Sequence, residues 1–94
     1  MSEAAAAVES RTVAETVTRI IADELFIADA RVSPDARLDA LGADSLDRVS
    51  IADAIGVELD VVVPDGDLEK IETVADLVAA VERRVAAINA RRSA

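Results

Sequence analysis

The residues with the clearest chemical potential are Leu41-Gly42-Ala43-Asp44-Ser45-Leu46-Asp47, which join a long polar connection to a run of apolar residues at helical spacing. Ser45 therefore falls where a loop becomes a helix. That position exposes a hydroxyl and aims several backbone N–H groups at whatever is attached to it. A phosphate ester on this oxygen would be stabilised by those N–H groups and by the positive end of the helix dipole. Gly42 lets the backbone turn tightly just ahead of the site. The same residues also have a plainer reading. A serine at a helix start usually serves as a cap, its oxygen accepting free amide hydrogens of the first turn, and Asp44 could do the same.

The rest of the composition narrows the chemistry. The 94 residues include no Cys and no His. Without Cys there is no disulfide framework, no thiolate nucleophile and no Cys zinc site. Without His there is no Ser-His pair, no His metal ligand and no side chain that ordinarily titrates near neutrality. An independent hydrolase is unsupported, because no base or metal ligand set accompanies Ser45. Nineteen acids against ten bases give a net charge of -9 and a pI of about 4.3. Such acidity argues against a nucleic-acid partner, which needs Lys and Arg clusters, and favours a partner with a basic docking face. The first residues lack the basic and apolar regions of a signal peptide, and no apolar run is long enough to span a membrane. A soluble, cytoplasmic protein is expected. The length fits one small domain. Ala and Val supply most of its core, Phe26 is the sole aromatic residue, and modest stability is expected.

Helical periodicity supplies the elements that would position Ser45. Val13, Val17, Ile20, Ile21 and Leu25 recur three and four residues apart, which predicts a helix over 11–26. Residues 1–10 are Ala-rich without apolar periodicity and read as a flexible N-terminal extension, either frayed or loosely helical. A long connection follows over 29–44, with a turn at Ser33-Pro34-Asp35 and pins to the core at Val32, Leu38 and Leu41. A structureless loop of that length is uncommon in a small domain and often functional. Leu46, Val49, Ile51, Ala54, Ile55 and Leu59 predict a second helix over 45–59. Gly56 lies inside it at an expected cost of about 1 kcal/mol relative to Ala. Residues 61–63 are all Val but have no partner strand, so they read as an extended connector with Val63 inward. A short helical turn over 67–71 and a last helix over 73–88, capped by Thr73 or Glu72, complete the chain. The carrier of these elements is residues 11–88, and 89–94 form a basic C-terminal tail. The charge is uneven: between Asp35 and Asp76, twelve acids face three bases (Arg37, Arg48, Lys70), a difference that equals the net charge of the whole chain. That acidic middle reads equally as a solvated face or as a docking face.

Leu41-Gly42-Ala43-Asp44-Ser45-Leu46-Asp47 closely resembles the prosthetic-group site of acyl carrier proteins. Pro64-Asp65, Glu69-Lys70-Ile71 and Thr73-Val74 resemble the later segment of that family, at its spacing from Ser45. Arg19-Ile20-Ile21 and Leu25 resemble its first helix, so the likeness covers residues 13–85. The resemblance implies an all-α fold, a small four-helix bundle of three main helices and one short helix with a long first loop. It implies a carrier rather than an enzyme. Ser45 would receive 4'-phosphopantetheine from coenzyme A through a phosphopantetheinyl transferase, and the arm's thiol would carry acyl groups as thioesters. A chain without Cys must borrow its sulfur, and a tethered arm raises the effective concentration of cargo at each docked enzyme. Asp44 would assist recognition by the transferase. Leu46 would be an exposed apolar contact for partners, beside Asp47, Val49, Asp53 and Glu58. The partners would be acyl-transferring, condensing or modifying enzymes with basic docking patches, and the carrier itself a monomer. Ile51, Ile55, Leu59, Val63, Leu68 and Ile71 match positions that shelter an acyl chain in the family, or they are ordinary core.

The chain also departs from the family. Its second helix has Ser50, Gly56 and Val57 where Glu is usual, and Asp53 where an apolar residue is usual. Leu38 stands in place of a usual Phe, and the first loop is one residue shorter. Complementary charges set partner choice, so these changes imply a specialised carrier, in fatty acid or a related secondary pathway. The alternative from another class is an unmodified acidic adaptor that binds a basic protein.

Overall fold

Helix α1 (Ser2–Leu25) presents Val13, Val17, Ile20, Ile21 and Ala22 to the core of a computed structural model that describes the backbone of residues 2–93 and the side chains of residues 13–91. The helix begins nine residues before the expected start at residue 11. The Ala-rich stretch carries no periodicity, but it contains no Gly or Pro, and Ala has the strongest intrinsic preference for helix. Met1, part of the segment read as an extension, lies outside the described residues. At its other end α1 stops one residue early, at Leu25. Phe26 adopts a left-handed conformation (φ 56°), and the Ile27 N–H donates to the Ala22 carbonyl at 3.0 Å. This is the six-to-one closure that commonly ends a helix.

The long connection is organised rather than loose. A 3-10 turn (Asp29–Arg31) leads to Val32, which is buried together with Leu38, while Leu41 is half-buried. Arg37 and Thr73 form an isolated antiparallel bridge. Around it, the Leu38 N–H donates to Glu72 O, the Val74 N–H to Ala36 O and the Ala75 N–H to Pro34 O, at 2.8–3.0 Å. The loop is thereby stitched to the start of the last helix. Arg37 also pairs with Asp39 at 3.2 Å. That hydrogen bond is the main reason that the Asp39 carboxyl lies below, and the Arg37 guanidinium above, its ordinary value.

Helix α2 (Ser45–Leu59) buries Ile51, Ala52 and Ile55 against α1. It ends on Asp60 in a left-handed conformation, which folds residues 61–63 back alongside it. Val61 and Val63 point inward and Val62 outward. Gly56 is what permits this return: a Cβ there would stand 2.9 Å from the Val61 carbonyl oxygen. The residue that read as a helix defect is a close backbone approach that only glycine fits.

Helix α3 (Asp65–Lys70) starts two residues earlier than expected, because Pro64 serves as its N-cap and its carbonyl accepts from Asp67 and Leu68. Helix α4 (Val74–Ser93) buries Val74, Leu77, Ala80 and Val81. No Gly or Pro interrupts it, so it continues past residue 88 through the segment read as a basic tail. Only Ala94 of that segment lies outside the described backbone. α1 packs on α2 and α4, and α3 packs on α2. The result is the all-α four-helix arrangement with no strand among the described residues, and no described helix is long and apolar enough to cross a membrane.

Candidate functional site

The site is built at the start of α2. Gly42 takes φ +95°, its N–H bonded to Asp39 O, and the Ala43 N–H turns back to Leu38 O. Ala43 is buried, so the turn is plugged into the core immediately before the helix begins. Asp44 is the N-cap. Its Oδ1 accepts the Asp47 N–H at 2.8 Å, and Asp47 Oδ2 accepts the Asp44 N–H at 3.2 Å. This is a reciprocal capping box closed by Asp where Glu or Gln is usual.

The two readings of Ser45 separate at this point. Asp44 performs the capping, and Ser45 is the first helical residue. Ser45 is exposed, and among the described residues its hydroxyl has no hydrogen-bond partner. The N–H groups of Ser45 and Leu46 likewise find no acceptor there. The hydroxyl thus stands at a helix mouth with two free donors beside it and the positive end of the dipole behind it.

Leu46 is 77% exposed, and Val49 and Asp53 are exposed on the same helix. Asp47 is half-buried and held in the capping box. Glu58 is exposed but pairs with Arg19 of α1 at 2.8 Å, which ties that charge to the bundle. Ile51, Ile55, Val63, Leu68 and Ile71 are buried, and Leu59 is half-buried. Of these, Ile51, Leu68 and Ile71 line an internal void of about 10 Å³, whereas Ile55, Leu59 and Val63 do not. The void has room for about one water.

Ser45 also opens onto a groove of about 470 Å³ that runs between α2 and α3, with Val49, Leu68 and Ile71 on its apolar side and Asp65, Glu69 and Glu72 along it. Sequence reasoning missed one residue of this groove, Arg48. Its Nη1 donates to Ile71 O at 2.6 Å and to Leu68 O at 3.2 Å. A signal was present, since a cation in the first turn of a helix opposes that helix's own dipole. Among the described residues no cluster of three or more acidic side chains is arranged to hold a metal ion.

Comparison with known proteins bears directly on this geometry. Residues 15–81 match the family described as "Phosphopantetheine attachment site". The chain is 41% identical over 73 residues to an acyl carrier protein of Akkermansia muciniphila, covering 77% of this chain and 91% of that one. It is 40% identical over 74 residues to an acyl carrier protein of Solidesulfovibrio magneticus, covering 78% and 95%. A third acyl carrier protein, of Thermotoga maritima, is 43% identical over 70 residues, covering 73% and 86%. The family match spans most of the chain, including the exposed serine at the open helix mouth, and the relatives are 40–43% identical over most of their length, so this chain belongs to the phosphopantetheine attachment-site family.

Proposed function

We propose that Ser45 is the residue that bears 4'-phosphopantetheine, and that the chain carries acyl groups as thioesters on that arm. The observation that carries this reading is the Ser45 hydroxyl itself, exposed and unengaged because Asp44 has taken over the capping. The residues present fit the group. The phosphate would lie against the free N–H groups of Ser45 and Leu46, and the arm would leave along the groove or into solvent. The arm supplies the thiol that a Cys-free chain lacks. In the attachment step Ser45 Oγ bonds to the phosphorus of coenzyme A that carries the pantetheine. The bond from that phosphorus to the nucleotide breaks, and the hydroxyl proton passes to a base of the transferase.

The chain is a carrier and not an enzyme; its partners do the chemistry on the cargo. Asp44 keeps Oδ2 free for the transferase while Oδ1 holds the cap. Leu46, Val49 and Asp53 form the docking strip for acyl-transferring, condensing or modifying enzymes with basic patches, with Asp47 and Glu58 at its edges. Val57, 88% exposed where Glu is usual in the family, makes the far end of that strip apolar. This supports a specialised carrier with dedicated partners, in fatty acid synthesis or a related pathway. We take it to act as a cytoplasmic monomer of which residues 11–88 are the working unit. Ile51, Leu68 and Ile71 are the part of the core nearest to the arm.

Incubation with coenzyme A and a broad-specificity transferase tests the proposal. Intact-mass measurement should show the gain of one phosphopantetheine, and Ser45→Ala should show none. Unmodified wild-type protein under those conditions would overturn it.

A further inference from the structure

A second groove, of about 560 Å³, shares no lining residue with the one that opens at Ser45. Its walls are the later half of α2 and one face of α4, and the return segment 60–63 lines it as well. Gly56 is part of the α2 wall, so the space that a Cβ would fill lies open beside the Val61 carbonyl.

The return segment has an unpaired main chain. Among the described residues, no N–H or carbonyl of Val61, Val62 or Val63 makes a hydrogen bond. Extended backbone with free donors and acceptors is a template for pairing with another chain. This one is held in place, because the side chains of Val61 and Val63 are buried in the core. The apolar surface beside it is uncovered: Val62 is 76% exposed and Val57 is 88% exposed. The walls carry opposite charges, Asp53 and Asp60 with α2, Arg84 and Arg91 on α4. Arg84 is paired with Asp67 at 3.0 Å, whereas Arg91, Asp53 and Asp60 have no ion-pair partner among the described residues.

An extended peptide answers all three features. It offers main-chain donors and acceptors at strand spacing, apolar side chains to cover Val57 and Val62, and charges of both signs for the two walls. A helix has spent its main-chain groups on itself, and a lipid chain has none to offer. A second copy of this chain is opposed by a charge of -9 on each.

We propose that residues 60–63 are an edge to which a partner protein adds an extended segment as a β-strand, seated in this groove with an acidic residue toward Arg91 and a basic one toward Asp53 and Asp60. An occupant here leaves Ser45 and its own groove uncovered. The partner therefore stays engaged while the arm is in use, which keeps the cargo at a high effective concentration near it.

The test selects a phage-displayed library of random peptides on the full chain, then titrates the enriched peptide under amide hydrogen exchange. Enriched sequences should alternate apolar and polar residues and carry charges of both signs, and the bound peptide should slow exchange at Val61, Val62 and Val63. Val62→Pro removes one main-chain donor at an exposed position and should weaken binding about tenfold. Val62→Thr keeps the donor and the branched shape and should stay within about threefold of wild type. Arg91→Glu, which keeps the return segment intact, should weaken binding at low salt, and raised salt should erase that difference. A selection that enriches nothing, a bound peptide that protects no amide of residues 61–63, or sedimentation showing that the segment pairs two copies of this chain overturns the proposal. A chain that takes up the arm but binds no peptide overturns the strand site alone, and one that binds the peptide but refuses the arm overturns the Ser45 reading alone.

Discussion

Helices α2 and α4 begin with the same device and put it to opposite uses. Each starts with a reciprocal capping box closed by Asp: Asp44 with Asp47, and Thr73 with Asp76. In α4 every amide of the first turn has an acceptor. Val74 and Ala75 donate to carbonyls of the stitched loop, Asp76 to Thr73 Oγ1 and Leu77 to Thr73 O. In α2 the third and fourth amides go to Asp44, and the first two have no partner among the described residues. The first helical residue of α4 is Val74, 2% exposed; that of α2 is the exposed Ser45. One helix mouth is sealed by the loop and serves stability. The other is left open, and the open end is the one that can take a phosphate.

The largest test of this contrast substitutes the first helical residue of each. Val74→Ala should cost about 2 kcal/mol, lowering the melting temperature by roughly 4–8 °C per kcal/mol, yet leave arm uptake intact below the melt. Ser45→Ala should stay within about 0.5 kcal/mol of wild type while losing uptake altogether. Circular dichroism and intact mass on the same samples read both, and a Ser45→Ala variant that melts like Val74→Ala would erase the distinction. A smaller effect compares the caps. Asp44→Ala and Thr73→Ala should each cost about 1 kcal/mol, but only Asp44→Ala should slow the transferase reaction. Equal slowing by both would make the open end no more special than the sealed one. The smallest effect concerns acid. The Thr73 amide, and then the Glu72 amide, holds the Asp76 carboxyl below its ordinary value of 3.8. A lowered native pKa means that the contribution is fully present above the unfolded value and is lost as pH falls through the native one. Between about pH 5 and pH 2 the wild type should therefore lose more melting temperature than Asp76→Asn does. Parallel curves would show that this carboxylate contributes nothing to the sealed mouth.

Much of this was legible in the sequence. The periodic runs in α1, α2 and α4 located the helices because their apolar faces are what the bundle buries, and Gly42-Ala43-Asp44-Ser45 located the turn because its residue types suit a tight backbone and a cap. The misreadings have physical causes. The Ala tract before Arg11 has propensity without pattern, which left frayed and loosely helical readings equally open. The short helical turn was placed over 67–71, two residues late, because Pro64 caps α3 through its main-chain carbonyl, and no side chain there signals a cap. Which of Asp44 and Ser45 caps the helix could not be told from residue types, because both side chains can accept the same amides. Arg48 escaped notice because its partners are main-chain carbonyls twenty and twenty-three residues away, and no local pattern reports them.

The close pass of the Val61 carbonyl over Gly56 has a consequence for any attempt to add charge to this surface. A side chain at position 56 would meet backbone 2.9 Å away. A Glu placed there would force residues 61–63 outward and expose Val61 and Val63, which are buried. The apolar return segment and an acidic residue at this point of α2 therefore exclude one another.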